Sequence, residues 1–248
     1  MAAEVLLITV TALLAWTYVI YPAGVITSAH LWRSRRRNRV LSLPSDTLPT
    51  VSVVMSLHNE KKVAEAKIIS MLSSEYPKEK VDFIIGSDGS TDGTNAIISR
   101  LSATDSRIRC IINAERRGKA TMLNELVARA TGEILVVTDA NVLFAPHTVR
   151  RLAEAFADPR VGLCDATVNN LTLDSSGITR QENLYSRFET TLKRAEGDLW
   201  GAMPGPYGGC YAVRRKLFPA LPENTLVDDL YVGLSVLRQN FRSVNIPE

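Results

Sequence analysis

The sequence predicts an α/β protein, a layered domain with a largely parallel central sheet, preceded by one membrane-spanning helix. Two observations predict it. Short β-branched apolar runs alternate with helical patterns from Val51 to Val137, an order that puts parallel strands inside and helices outside. Ahead of them, Val5 to Trp32 contains no Asp, Glu, Lys or Arg, which is length enough for a helix to cross a bilayer.

The N-terminal run is almost wholly apolar from Val5 to Ile20, with Pro22 and Gly24 towards its end. Glu4 precedes it and Arg33, Arg35, Arg36, Arg37 and Arg39 follow it. A cleavable signal carries its positive charge first, so an anchor fits better than a leader, and the alternative is a buried core helix followed by a solvated charge run. The excess of Arg after the span places the N-terminus outside and the rest in the cytoplasm, a single-pass protein of the inner or plasma membrane. The same cluster can hold anionic headgroups, at roughly 1 kcal/mol per charge. Residues 1–32 therefore read as the anchor. Residues 33–49, with Pro44 and Pro49, read as a basic juxtamembrane linker, and the folded domain is expected from Thr50 to Glu248.

Within that domain Val51 to Ser56 reads as a strand buried on both faces, and a helical pattern follows from Glu60 to Leu72. Val81 to Gly86 is the next strand, Asn95 to Leu101 part of a helix, Ile108 to Ile112 a strand and Ala120 to Ala130 a helix. Thr131 and Gly132 close that helix, and Ile134 to Val137 is a fourth strand. Later come an uncharged loop from Gly201 to Gly209, a strand from Cys210 to Val213, an apolar helical stretch after Asp228 and a strand from Phe241 to Ile246. Leu184, Phe188 and Leu192 stand at helical spacing, which suits packing in a core or at a membrane interface.

Composition narrows the function. Beyond residue 40 the chain carries 24 basic and 25 acidic residues, so no nucleic-acid footprint is spread over the domain. Cys110, Cys164 and Cys210 are far apart and form no C-x-x-C pair; they read as small buried residues in a reducing compartment.

In parallel α/β sheets ligands bind beyond the carboxyl ends of the strands. Here those ends are polar: His58, Asn59 and Glu60 after the first strand, Asp88 to Thr94 after the second, and Asp139, Ala140 and Asn141 after the fourth. Asp92 or Thr91 can cap the helix that follows, a role that needs no ligand. Asp139 and Asn141 can equally close a turn or offer hard oxygen ligands to Mg²⁺ or Mn²⁺.

The ordered set of these segments resembles glycosyltransferase family 2. The matching blocks are Val51-Ser-Val-Val-Met-Ser-Leu-His-Asn-Glu60, Ser87-Asp-Gly-Ser-Thr-Asp-Gly-Thr94, Arg117-Gly-Lys-Ala-Thr-Met-Leu-Asn124, Thr138-Asp-Ala-Asn141 and Val227-Asp-Asp-Leu230. The resemblance implies the GT-A fold, a nucleotide-sugar donor that is a UDP-sugar, and a glycan or lipid-linked acceptor. It implies that Asn59, Glu60 and Asp88 line the nucleoside pocket and that Lys119 lies near the nucleotide. Asp139 would coordinate Mg²⁺ or Mn²⁺ on the diphosphate, with Asn141 beside it. Asp229 would be the general base of an inverting transfer, its pKa raised by its neighbour Asp228. Asp residues also suit a helix start through its dipole alone.

Three departures matter. Asn141 stands where many members have a second Asp, which removes one negative charge from the metal site. Ser56 replaces a common proline. No Gln-x-x-Arg-Trp motif of the processive polysaccharide synthases follows the acidic pair, so the catalytic domain over residues 50–248 reads as either truncated or of a shorter, non-processive type. A nucleotidyltransferase would need a glycine-rich basic loop after the first strand, which Ser56-Leu-His-Asn-Glu60 lacks. A non-catalytic membrane protein that binds nucleotide-sugar with a partner subunit is the remaining alternative.

Overall fold

The structure is a computed structural model that describes residues 1–35, 44–166, 177–203, 205–206 and 208–246, with side chains throughout except at 33–35 and 177–187. The Arg33 to Arg39 side chains and that of Leu184 lie outside the described residues.

Seven strands form one sheet in the order β3-β2-β1-β4-β6-β5-β7. They are β1 (Val51–Leu57), β2 (Val81–Asp88), β3 (Ile108–Asn113), β4 (Ile134–Thr138), β5 (Val161–Ala166), β6 (Cys210–Arg214) and β7 (Arg242–Ile246). β1 pairs in parallel with β2 and β4, and β2 with β3. β6 alone runs against its neighbours β4 and β5, while β7 returns parallel to β5. The expected strands are all present, and the parallel half follows from the strand-helix alternation. In the far half β6 and β7 stand where strands were expected, whereas β5 and the helix before it carry no distinctive sequence pattern and were not expected.

Alternate residues of each strand feed two cores. Val53, Met55, Phe83 and Ile85 face one side, where α3 (Lys61–Leu72), α4 (Thr94–Ser102) and α6 (Thr148–Glu154) contribute Ala64, Ile68, Ile98 and Leu152. Val54, Ile84 and Leu135 face the other, where α5 (Lys119–Arg129) and α8 (Asp228–Arg238) contribute Met122, Leu126, Val232 and Val236. This two-sided burial is why the strands read as continuous apolar runs rather than alternating ones.

Three sequence expectations are corrected. The packed domain begins before Thr50: Leu48 is buried in the core, and Lys80 Nζ donates to the carbonyls of Ser45, Asp46 and Leu48. A lysine next to three unpaired carbonyls is a tertiary pairing that no local pattern reveals. Cys110 is exposed, because β3 is the sheet edge, whereas Cys164 and Cys210 are buried. α5 closes before Thr131 and Gly132: it ends at Arg129, and the cap residue is Ala130 in extended conformation. Gly132 instead presses on β1, where an added Cβ would meet Ser52 N at 2.5 Å, and its N–H donates to Ser52 Oγ at 2.9 Å.

The N-terminal segment is helical from Ala2 to Arg35, as α1 (Ala2–Ala15), a π-helical turn (Trp16–Ile20) and α2 (Tyr21–Arg35). The π turn lets Tyr21 N–H reach Trp16 O, five residues back, just before Pro22 withdraws its own donor. Ala2–Trp32 is long and apolar enough to cross a membrane. Its second half, however, is docked. Val25 and Ala29 are buried against Ala195, with Leu192 and Leu199 beside them on α7 (Gly177–Trp200), and Tyr21 Oη donates to Glu196 Oε1 at 2.7 Å. The stretch with apolar side chains bare on the surface is Ala2 to Ile20, about 28 Å of helix at 1.5 Å per residue, close to a bilayer core of about 30 Å.

Gly132→Ala forces a Cβ into the β1 backbone and should destabilise the fold by about 1–3 kcal/mol. Thermal unfolding in detergent should show a melting temperature lower by several degrees. An unchanged melt would mean that β1 and the α5–β4 turn separate freely.

Candidate active site

The carboxyl ends of β1, β2 and β4 lie side by side in the sheet, and four loops meet there. After β1, Asn59 adopts φ 56°, and its N–H donates to Ser90 Oγ at 3.1 Å while Thr91 N–H donates to Asn59 Oδ1 at 2.8 Å. Glu60 N–H donates to Thr94 Oγ1 at 3.0 Å. Asp92 caps two helices together: Oδ1 accepts from Thr94 N–H at 3.0 Å and its hydroxyl at 2.6 Å, and Oδ2 accepts from Lys61 N–H at 3.0 Å. The capping reading of Asp92 holds, and it reaches a second helix that the sequence spacing did not reveal.

Asp88 is the last residue of β2 and is buried. Its Oδ1 accepts from Arg117 N–H at 2.8 Å and its Oδ2 from Gly118 N–H at 2.7 Å. These bonds fix the turn that begins α5 and so aim the next residue. That residue is Lys119, whose Nζ lies 3.0 Å from Asp139 Oδ1 and 3.2 Å from Asp228 Oδ1. One ammonium thus joins the turn after β4 to the start of α8.

Asp139 N–H donates to Gly209 O at 3.0 Å, and Thr138 Oγ1 donates to the same carbonyl at 3.2 Å. Asn141 is exposed on the same turn. Asp228 is buried and Asp229 half-exposed at the first turn of α8. Asp229 Oδ1 accepts from Leu230 N–H at 2.8 Å. Its Oδ2 lies 2.6 Å from where a Cβ on Gly208 would stand, and Gly208 has φ +87°, a conformation and a clearance that only glycine combines.

Electrostatics follow from this crowding. Burial works against the Lys119 charge, but Asp139 and Asp228 outweigh it and hold the ammonium above its ordinary pKa. Asp229 is raised above the usual carboxylate range, first by burial and further by the charge of Asp228, against the pull of Leu230 N–H and Lys119. The sequence assigned that rise to Asp228 alone; burial is the larger cause. The Tyr211 hydroxyl on β6 is buried with no hydrogen-bond partner among the described residues and lies in the field of Asp228, Asp229 and Asp139.

Of the sequence-derived residues, Lys119, Asp139, Asp228 and Asp229 meet in one cleft. Asp88 supports it from beneath, and Asn59 and Glu60 stand on the adjoining loop. Sequence reasoning missed Lys67, which is wholly buried under the β4 turn. Its signal was available: Ala64, Lys67, Ile68 and Met71 form the buried stripe of α3, and a lysine there breaks the apolar pattern.

Among the described residues no group of three or more His, Cys, Asp or Glu is arranged to hold a metal. Asp139 offers one carboxylate and Asn141 one neutral oxygen. That set fits Mg²⁺ or Mn²⁺ carried in on phosphate oxygens and water, the usual manner of such ions, rather than a resident protein-caged metal.

Comparisons with known proteins agree with this geometry. The model of "Glycosyl transferase family 2" matches residues 52–221. A probable glycosyltransferase, YdaM of Bacillus subtilis (strain 168), is 32% identical over 201 residues, covering 76% of this chain and 47% of its own. The beta-monoglucosyldiacylglycerol synthase of Synechocystis is 29% identical over 193 residues, 73% of this chain and 39% of its own. The chain thus spans about half or less of the length of these relatives. The mannosyltransferase PcManGT from Pyrobaculum calidifontis, solved with GDP-Man and Mn²⁺, superposes with TM-score 0.71 at 26% identity, covering 92% of this chain and 65% of that one.

The Asp92 bridge generates a pH prediction. Its bond to the Thr94 hydroxyl, joined by the Lys61 and Thr94 N–H groups, holds the carboxyl down at about 2. Its folded-state pKa is therefore below an unfolded value of about 4, so its stabilisation is present above pH 4 and lost as pH falls towards 2. Asp92→Asn should lower the melting temperature at pH 6, and the gap from wild type should narrow steadily as pH falls from 4 to 2. A gap that does not change with pH would contradict the bridge.

Proposed function

The chain belongs to glycosyl transferase family 2, and on that premise we propose that it is an inverting transferase that moves a sugar from a nucleoside diphosphate donor to a membrane-associated acceptor. The observation that carries this reading is the Lys119 ammonium, 3.0 Å from Asp139 and 3.2 Å from Asp228. It makes the diphosphate side and the acceptor side of the cleft one unit. Residues 50–248 act as the catalytic domain and residues 1–32 as its anchor.

In this reading Asn59, Glu60 and Asp88 form the floor under the nucleoside, Asp88 through the Arg117–Gly118 turn that it holds. Asp139 and Asn141 would hold a divalent ion, and its chemistry when bound would be to offset negative charge on the diphosphate. Lys119 is positioned to follow the diphosphate, because a cation arriving at Asp139 would compete for the same oxygen. Asp229 accepts the proton of the acceptor hydroxyl. The hydroxyl oxygen forms a bond to the anomeric carbon, the bond from that carbon to the phosphate oxygen breaks, and its electron pair leaves on the diphosphate. Attack opposite the leaving group inverts the centre. Asp228, bound to Lys119, orients α8 so that Asp229 faces the cleft.

A UDP-sugar is the first donor to test, with GDP-mannose beside it because PcManGT was solved with GDP-Man. The acceptor is a glycan or a lipid-linked hydroxyl. The exposed apolar helix Ala2 to Ile20 supports a membrane location, as does the name of the Synechocystis relative, which denotes a glucosylated diacylglycerol. With the Arg cluster cytoplasmic, the N-terminus is outside and the domain within the cytoplasm.

Purified protein in detergent should release nucleoside diphosphate from one of these donors when Mn²⁺ or Mg²⁺ is present. Asp229→Asn should cut transfer by about 10²-fold or more and leave nucleotide affinity within a few-fold; retained transfer would remove Asp229 as the base. Because its pKa is raised, kcat should fall as pH drops through a value above the ordinary carboxylate range, and Asp228→Asn should move that acid limb downward. Gly208→Ala should lower kcat by about tenfold or more with nucleotide binding retained, since a displacement of about 1 Å at a reacting group can cost about 10²-fold. Wild-type kcat in that variant would show that Gly208 does not set the Asp229 position.

A further inference from the structure

Lys67 sits on the buried face of α3 with Ala64, Ile68 and Met71, and its side chain is entirely inaccessible to solvent. Burying an amine is costly unless its donors find partners, and Nζ finds two acceptors and an aromatic ring in one segment. Nζ donates to Thr138 Oγ1 at 2.8 Å and to Val142 O, and lies 3.7 Å from the centre of the Phe144 ring. Among the described residues it makes no ion pair with a carboxylate. The acceptors bracket the Asp139, Ala140, Asn141 turn, one on each side. Ser70, one turn along α3, adds a fourth grip by accepting from Phe144 N–H at 3.1 Å. The contact also passes further: Thr138 Oγ1, while accepting from Lys67, donates to Gly209 O, which also accepts from Asp139 N–H. Gly209 follows Gly208, the residue against Asp229 Oδ2.

We propose that Lys67 is a positioning residue for the reaction: from the core it ties Thr138 to Val142, and through Thr138 to Gly209, so that one buried side chain sets both the Asp139 turn and the loop that abuts Asp229. This rests on the transferase reading given above. A neutral apolar side chain of the same length would suit the α3 stripe without that cost, so what the lysine adds is its grip on the turn. With Asn141 in place of a second carboxylate, the turn has one fewer ligand charge to organise it, and Lys67 supplies that order from behind.

The test uses the full chain in detergent with Lys67→Met and, as a second variant that leaves the lysine in place, Thr138→Val, which removes the shared hydroxyl. Three readouts are compared with wild type: nucleoside diphosphate affinity with and without Mn²⁺, the split of kcat from KM, and amide hydrogen exchange over residues 138–146 and 208–212. Lys67→Met should melt within several degrees of wild type and bind the nucleotide without Mn²⁺ within about threefold. It should lose about tenfold or more of the Mn²⁺-dependent gain in affinity and of kcat, and its 139–142 amides should exchange faster while β1 and β2 remain protected. Thr138→Val should change the same quantities in the same direction. Wild-type kcat and exchange in both variants would overturn the proposal, as would an equal loss of metal-free binding and of protection across the whole sheet. If wild type binds no nucleotide under any condition, the transferase reading fails, and the exchange of residues 139–142 still decides whether Lys67 holds the turn.

Discussion

Three carboxylates, Asp139, Asp228 and Asp229, converge on one cleft, and without an intervening cation their mutual repulsion would push the β4 turn and α8 apart. Lys119 is that cation, in contact with two of the three. Its placement is not a matter of its own side chain alone. Asp88, buried at the end of β2, uses both carboxylate oxygens to hold the N–H groups of Arg117 and Gly118, and that turn determines where α5 begins. The ion pairs are half-exposed and individually modest. Their weight comes from connecting elements that share no sheet hydrogen bonds, since α8 reaches this edge of the sheet only through its first turn.

The sheet supplies the constraint behind this arrangement. Parallel pairing of β2, β1 and β4 brings their carboxyl ends to one edge, so every acid that follows a strand arrives at the same place. β6 reverses direction beside β4 and delivers the Gly208–Gly209 turn to that edge from the opposite sense. The antiparallel strand is therefore what allows the Gly208–Gly209 loop and the Asp139 turn to touch, through Gly209 O and Asp139 N–H. The site is supported from both faces of the sheet, by α5 and α8 on one and by α3 with its buried Lys67 on the other.

The docked half of the N-terminal helix ties that helix to the domain. α2 is packed on α7 through Val25, Ala29 and Ala195 and bonded through Tyr21 and Glu196. α7 ends at Trp200, and the loop after it leads through Gly208 to β6. Where Ala2 to Ile20 enters a membrane, this docking restricts which faces of the domain can meet it.

What the sequence determined by itself was the parallel half of the sheet, the polar strand ends and the acidic pair at a helix start. These are local: two-sided burial writes a continuous apolar run, and a strand end is followed directly by its loop. Val51 to Leu57 and the Asp139 turn were legible for that reason. Only the tertiary structure decided that Asp88 serves the Arg117–Gly118 turn, that Lys119 joins Asp139 to Asp228, that Gly208 clears space for Asp229, and that Lys67 stands beneath Thr138. Each of these joins residues about 20 or more positions apart through hydrogen bonds or close approach. Such contacts depend on how helices cross the sheet, and helix crossing is set by packing of the whole core rather than by the periodicity of any one segment.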